Sequence, residues 1–370
     1  RYLDTCASFN AVTGDVMRAA LRQTSEQQPG IRRLRQGAGF LFRHANGRAV
    51  ANEAQLARIR SLAIPPAYED VWICPDQRGH IQATARDARG RKQYIYHPDW
   101  RAAREEDKFG RMMEFGNALP RIRRQLRRDL AALGLTREKV LAAVCLLLDQ
   151  TLVRIGNEEY AQTNKSFGLT TLRNRHVRVK REEVNFEFQG KSAVHHSITV
   201  SDPVLAKIIR KCLDVPGQHL FQYIGEDGGA HRIDSDSVNQ YLKAASKMDI
   251  SAKDFRTWAA SVAALAQLRG TIFESKTEAT RNVTATVKDV AQLLRNTPAV
   301  CRKSYIHPGV VEAYHAGELC EPVEQCRKAG LRVDEAQLLR FLKAKATVRA
   351  KAKRKDGKLK GREIANVGHG

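Results

Sequence analysis

The chain has no apolar run long enough to cross a bilayer. Its longest, Val140–Leu148, stops at Asp149, far short of the roughly 20 residues a spanning helix needs. Paired cysteines are missing too. The seven present (Cys6, Cys74, Cys145, Cys212, Cys301, Cys320, Cys326) are odd in number, widely spaced and free of any Cys-x-x-Cys pair. That pattern argues against a disulfide framework or a zinc site and for reduced thiols in a cytoplasm. Acidic residues are scarce: 40 Asp plus Glu stand against 63 Lys plus Arg, a net charge of +23. Such an excess repels itself in the folded state, and a polyanion relieves it through neutralisation and counterion release, so nucleic acid is the leading partner. Residues 1–16 show neither a basic leader nor an apolar stretch, so no secretion signal is expected, and Met17 is the expected natural start.

What is present reads as a folded chain. With 370 residues, 42% hydrophobic and 28% charged, the composition is globular and the length suits two or three domains. Residues 19–105 read as a β-rich domain. Phe40–Phe42 is a short strand closed by Asn46-Gly47, Asn52–Ser61 a short helix before Pro65-Pro66, and Asp70–Cys74, His80–Thr84 and Lys92–Tyr96 are strands joined by hairpin turns. Helical spacing takes over after Pro98, so residues 106–318 read as a mainly helical domain. Pro120 is expected at the first position of a helix whose Leu119, Ile122, Leu126 and Leu130 pack while Arg121, Arg123, Arg124, Arg127 and Arg128 form a basic face. Thr136 caps a core helix ending near Arg154. Between His176 and Val200 the period drops to two, giving a three-stranded sheet with Lys191 near a hairpin tip. Residues 1–18 stand apart as an N-terminal extension. Residues 319–370 read as a basic, disordered tail, because Lys343–Arg362 carries ten basic residues and one acid, Asp356.

Several motifs are set aside. Gly190-Lys191-Ser192 resembles the end of a phosphate loop, but position 185 is Asn185 where a glycine is required, and strands flank it. His195 and His196 are strand neighbours and face opposite sides of a sheet. Arg154, in Val153-Arg154-Ile155-Gly156-Asn157-Glu158-Glu159-Tyr160, and Arg256, in Lys253-Asp254-Phe255-Arg256-Thr257-Trp258, are cations in otherwise apolar surroundings. A guanidinium fork holds two oxygens of one phosphate. Read singly, each arginine is better taken as a salt-bridge partner, and Lys191 as a solvated turn residue.

The stretch Asn296-Thr297-Pro298-Ala299-Val300-Cys301-Arg302-Lys303-Ser304-Tyr305-Ile306-His307-Pro308 carries the most information. It resembles the nucleophile segment of the poxvirus-like bacterial type IB DNA topoisomerases. The likeness extends over Pro65-Pro66, Gly90-Arg91-Lys92-Gln93-Tyr94-Ile95-Tyr96, the Arg154 segment, Ser166-Phe167-Gly168-Leu169-Thr170-Thr171-Leu172, Gly190-Lys191 and Lys253-x-x-Arg256. The resemblance implies an α+β fold: a small antiparallel β domain and a larger, mainly helical catalytic domain of the tyrosine recombinase and topoisomerase type, forming a C-shaped clamp on double-stranded DNA. It implies Tyr305 as nucleophile, forming a 3′-phosphotyrosyl intermediate, with Arg154, Arg256 and Asn296 stabilising charge, Lys191 as general acid and Lys253 assisting. Gln93, Tyr94, Tyr96, Arg91 and Tyr160 are expected to touch DNA. The chemistry needs no ATP, metal or other cofactor, and a monomer in the cytoplasm, on the nucleoid, is expected. The poxvirus enzymes have a histidine where this chain has Asn296, whose amide can donate a hydrogen bond but carries no charge. A tyrosine recombinase shares the Arg-Lys-Arg-Tyr chemistry but usually shows His-x-x-Arg and a helical N-terminal domain. A non-catalytic DNA-packaging protein accounts for the charge but not for the order of these motifs.

Overall fold

In the computed structural model, residues 21–88, 90–319 and 327–348 are described, with the side chains of residues 105–107 and 160 outside that description. The chain divides into two compact units at Gly110/Arg111. The architecture is α+β, a small antiparallel sheet followed by a largely helical body.

The first unit is a five-stranded antiparallel sheet in the order β2-β1-β3-β4-β5, formed by β1 (Ile31–Gln36), β2 (Gly39–Arg43), β3 (Glu69–Ile73), β4 (Ile81–Arg86) and β5 (Lys92–Tyr96). Helix α1 (Glu53–Ser61) starts where the Asn52 side chain accepts the N–H of Gln55 at 2.9 Å. Its Ile59 joins Ile31, Val50, Val71, Ile73, Ala83 and Ala85 in one core. Strand β1 is not among the strands that sequence shows within residues 19–105, because Arg32, Arg33 and Arg35 hide its alternation. Arg33 is itself put to structural use. Its guanidinium donates to the carbonyls of Ile64 at 3.2 Å, Pro65 at 3.1 Å and Tyr68 at 2.5 Å, so it organises the Pro65-Pro66 loop. Helix α2 (Pro98–Gly110) ends the unit.

The second unit is built on α3 (Met112–Ala131) and α4 (Arg137–Thr151), with α5 (Glu158–Asn164) leading into a three-stranded sheet. That sheet comprises β6 (Val177–Lys180), β7 (Glu183–Gln189) and β8 (His195–Ser201). Then come α6 (Pro203–Leu213), the hairpin β9 (Gln222–Ile224) and β10 (Ala230–Arg232), α7 (Ser235–Ser246), α8 (Ala252–Leu268), α9 (Lys276–Leu293), α10 (Pro298–Ser304), α11 (Pro308–His315) and α12 (residues 333–348).

Two expectations need correction here. Pro120 lies inside α3 rather than at its start. Its missing N–H gives up one bond, but the apolar stripe Met112, Phe115, Leu119, Ile122 and Leu126 runs on through it, and Phe115 packs against Phe255 and Trp258 of α8. Residues 333–348, read from sequence as tail, form a packed helix. Leu338, Leu339 and Leu342 are buried, and Glu335 meets Arg123 of α3, which also pairs with Asp149 of α4. Of the lysines that mask this helix in sequence, Lys343 is exposed and Lys345 pairs with Glu318 at 2.5 Å. The extension before residue 19 and the tail beyond residue 348 fall outside the described residues.

Cys74, Cys145, Cys212 and Cys301 are buried free thiols. No helix among the described residues is long and apolar enough to cross a membrane.

Candidate active site

Arg154 is the first element of the site. Helix α4 stops because Leu152 turns left-handed (φ 55°), which releases the chain at Val153. Beyond it the backbone of residues 154–156 pairs with residues 168–170. The carbonyl of Arg154 accepts the N–H of Leu169 at 3.0 Å, and that of Ile155 accepts the N–H of Thr170 at 2.7 Å and its hydroxyl at 3.0 Å. Gly168 is required for this approach, since a Cβ there would lie 2.5 Å from the backbone of Gly156. The Ser166–Leu172 segment is thus a splint for Arg154. The half-buried guanidinium makes no hydrogen bond or ion pair among the described residues.

Arg256 is the second element and is only 5% exposed. Its Nη1 donates to the Leu152 carbonyl and its Nη2 to the Leu294 carbonyl at 2.8 Å. One side chain on α8 therefore ties together the C-terminal ends of α4 and α9. Its Nε is buried with no hydrogen-bond partner among the described residues, an arrangement that costs desolvation energy unless an outside acceptor is supplied. Burial, and then the neighbouring charge of Arg154, lower its pKa.

Tyr305 is the third. It caps α10 and is half-buried, and the Arg256 guanidinium carbon lies 5.4 Å from the centre of its ring. Ser261, on α8 and fully buried, fixes its backbone. The Ser261 hydroxyl donates to the Tyr305 carbonyl at 3.1 Å and accepts the His307 N–H at 2.9 Å. Burial pushes the His307 imidazole down to about 4. That leaves it neutral, so its Nδ1 can accept the Gly309 N–H at 3.1 Å and cap α11. Beside this group the Cys301 thiol is raised by burial, with Arg256 and Arg154 pulling it back.

Asn296 follows the Arg256-bound Leu294 by two residues. Its Oδ1 accepts the N–H of Thr297 at 3.0 Å, leaving both amide donors without a partner among the described residues. Lys191 stands exposed in the turn between β7 and β8. Lys253 is exposed one helical turn before Arg256 on α8. Neither ammonium makes a hydrogen bond or ion pair among the described residues. The structure thus brings Arg154, Arg256 and Tyr305 together with Asn296 adjacent, while the lysine ammoniums touch none of them.

In the first unit Arg91 pairs with Asp87 at 2.6 Å, and Gln93 donates to the same carboxylate at 3.0 Å. Tyr94, 44% exposed on edge strand β5, stacks on Tyr96 at 5.9 Å. Tyr160 lies on α5, and its side chain is outside the described residues.

Sequence reading assigns no role to Ser261, His196 or Arg295. Ser261 is a small hydroxyl in an Ala-rich helix, five residues after Arg256, and that spacing was the only available signal. His196 is buried against Phe188 at 4.7 Å, and its Nδ1 faces Arg295 at 3.2 Å. Burial, followed by Arg295, Arg154 and Arg256, lowers its pKa to about 4. Its neighbour His195 is exposed on the opposite face of β8, and no His, Cys, Asp and Glu group among the described residues is arranged to hold a metal ion.

A phenol ring 5.4 Å from the held Arg256 guanidinium, with the Arg154 charge close enough to Arg256 to lower its pKa, has the chemistry to meet a phosphodiester. Residues 97–328 match the family model for the catalytic core of eukaryotic DNA topoisomerase I, and residues 39–87 match that for the N-terminal domain of bacterial DNA topoisomerase IB. The DNA topoisomerase 1B of Acanthamoeba polyphaga mimivirus is 29% identical over 293 residues, covering 77% of this chain and 87% of the relative. That of Vaccinia virus (strain Copenhagen) is 24% identical over 253 residues, covering 66% and 75%. The DNA topoisomerase 1 of Mycosarcoma maydis is 24% identical over 222 residues, 54% of this chain and 22% of the relative. The chain belongs to the type IB DNA topoisomerase family, and its activity is that of a DNA topoisomerase.

Proposed function

We propose that the protein relaxes supercoiled duplex DNA by cutting and resealing one strand at Tyr305, without ATP or metal. The phenol oxygen attacks phosphorus, the bond to the 5′ oxygen breaks, and a 3′-phosphotyrosyl ester forms whose energy is close to that of the diester it replaces. The phenol proton leaves to water, and Lys191 gives the departing 5′ oxygen a proton. Resealing is the same step reversed, after the free end has swivelled about the intact strand.

Arg154 and Arg256 hold the nonbridging oxygens as charge builds in the five-coordinate transition state, with Asn296 donating a neutral hydrogen bond. Each such donor is worth about 10²–10³ in rate. Lys253 assists from the adjacent turn of α8. The observation that carries this reading is the buried, unpartnered Nε of Arg256 on a guanidinium that lies 5.4 Å from the Tyr305 ring. A phosphate oxygen would complete that donor set.

In this reading the first unit grips the duplex through Arg91, Gln93, Tyr94 and Tyr96, with Tyr160 contacting from the second, so that a monomer closes on DNA as a C-shaped clamp at the nucleoid. The catalytic body takes the recombinase-like fold that its family uses. The test is plasmid relaxation in EDTA without nucleotide. The parent protein should remove positive and negative supercoils, and Tyr305→Phe should remove neither while still binding duplex. Full relaxation by Tyr305→Phe would take the nucleophile role from Tyr305.

A further inference from the structure

The Lys191 turn rests on a histidine that the mechanism above does not use. His196 is 4% exposed and sits opposite Phe188 in the β7–β8 register, with the two rings stacked 13° from parallel. The backbone entering the Lys191 turn lies on its edge, since a Cβ at Gly190 would stand 2.5 Å from His196 Nε2. The turn itself is tight, with Ser192 (φ 63°) and Ala193 (φ 61°) both left-handed and the Gly190 N–H bound to the Val194 carbonyl at 2.8 Å.

The other edge of the imidazole faces a different element. Arg295 Nη1 meets His196 Nδ1 at 3.2 Å, and Arg295 Nη2 donates to the Ser197 carbonyl at 3.2 Å. A guanidinium can only donate, so Nδ1 is the acceptor and the imidazole is neutral, with its proton on Nε2. Arg295 holds a left-handed backbone (φ 47°) between Leu294, whose carbonyl binds Arg256, and Asn296. A continuous chain of contacts therefore runs from Arg256 through Leu294, Arg295 and His196 to Gly190 and Lys191.

The geometry points to His196 and Arg295 as positioning residues: together they form a bracket that sets the Lys191 turn against the loop carrying Asn296, fixing where the acid meets the leaving oxygen. This rests on the acid role given to Lys191 above. Without the bracket, the exposed Lys191 turn keeps its own Gly190–Val194 bond and the Phe167 N–H on the Gln189 carbonyl at 2.8 Å, neither of which ties it to the Asn296 loop, and proton delivery suffers before DNA binding does.

The test uses the full chain and a duplex with one mapped cleavage site, made in two versions with either oxygen or sulfur at the bridging 5′ position. A thiolate leaves without a proton, since a thiol pKa near about 8.5 lies far below that of an alcohol. His196→Phe keeps the stack on Phe188 and removes the acceptor. Arg295→Asn removes the guanidinium with a residue that tolerates the left-handed backbone. Each should slow single-turnover cleavage of the oxygen duplex by about tenfold or more, a part of the 10²–10⁴ a general acid supplies, with duplex affinity unchanged. The sulfur duplex should bring each to within about threefold of the parent, and His196→Asn, whose amide oxygen can replace Nδ1 as acceptor, should recover most of the rate on oxygen. Equal slowing on both duplexes, or no slowing, overturns the bracket. Lys191→Ala is run alongside. If sulfur rescues it but not the two bracket variants, the bracket fails and the acid assignment stands. If sulfur fails to rescue Lys191→Ala, the acid assignment fails and the bracket falls with it.

Discussion

Ser261 shows how the placement of Tyr305 depends on a side chain buried away from solvent. Its hydroxyl satisfies the Tyr305 carbonyl and the His307 N–H at once, from a position with no solvent exposure. Ser261→Ala removes the hydroxyl that accepts the His307 N–H and donates to the Tyr305 carbonyl, at a cost of about 1–3 kcal/mol, and loosens the backbone that aims the phenol. Because a displacement of about 1 Å can cost 10²-fold in rate, single-turnover cleavage should fall about tenfold to a hundredfold while duplex affinity stays at the parent value. An unchanged cleavage rate would show that Tyr305 is aimed by other contacts. At this scale Arg256 does two jobs. It ties the helix ends at Leu152 and Leu294 and still carries a donor without an acceptor among the described residues.

At the scale of elements, the packing of α12 makes a prediction about pH. Burial alone would raise the Glu335 carboxyl, but its bonds to Arg123 and the Arg332 N–H outweigh that and hold it below the ordinary carboxylate value. A depressed folded pKa contributes stability above the unfolded value, about 4.3, and that contribution is lost as pH falls through the folded one. Glu335→Ala should therefore cost about 3 kcal/mol near neutral pH, the lower end for one partner of a buried pair, because Asp149 still holds Arg123. In denaturant titrations the gap between parent and variant should narrow as pH drops below 4. A gap that stays constant would remove the ion pair as its source.

The same elements show what sequence could and could not reveal. The apolar stripe of α4 is legible to within a few residues, the Asn52 and Thr136 caps are readable, and period-two runs place β5 and the Lys191 turn. Strand β1 and helix α12 are hidden by their neighbours' charge: three of the six residues of β1 are arginines, and the basic run that begins at Lys343, inside α12, makes that helix read as one piece with the tail, although Ala336, Leu338, Leu339 and Leu342 recur at helical spacing. Arg154, Arg256 and Tyr305 could be named from their motifs. Their convergence could not, because it depends on a left-handed turn at Leu152 and on carbonyls, and carbonyls are the same in every residue. Nothing in sequence pairs His196 with Arg295, since their meeting joins a strand to a loop 99 positions away.

For the whole molecule, a net charge of +23 predicts duplex binding that falls steeply with salt, the logarithm of the affinity dropping with a slope of about −0.9 for each phosphate neutralised. Ending the chain after Val348 keeps α12 and removes Arg349, Lys351, Lys353, Arg354, Lys355, Lys358, Lys360 and Arg362. The shortened protein should bind duplex more weakly at low salt and with a shallower slope, and should cleave at the parent rate once DNA is saturating. An unchanged slope would show that these residues make no phosphate contacts.

The central claim is that one phenol forms a covalent bond to DNA. Its most direct measurement is mass spectrometry of the adduct trapped on a duplex whose cleaved end diffuses away before it can be resealed. The account predicts a single modified peptide carrying the nucleotide on Tyr305 through its 3′ phosphate, and no adduct from Tyr305→Phe. An adduct on another residue, a 5′ linkage, or strand cleavage with no protein attached would contradict it.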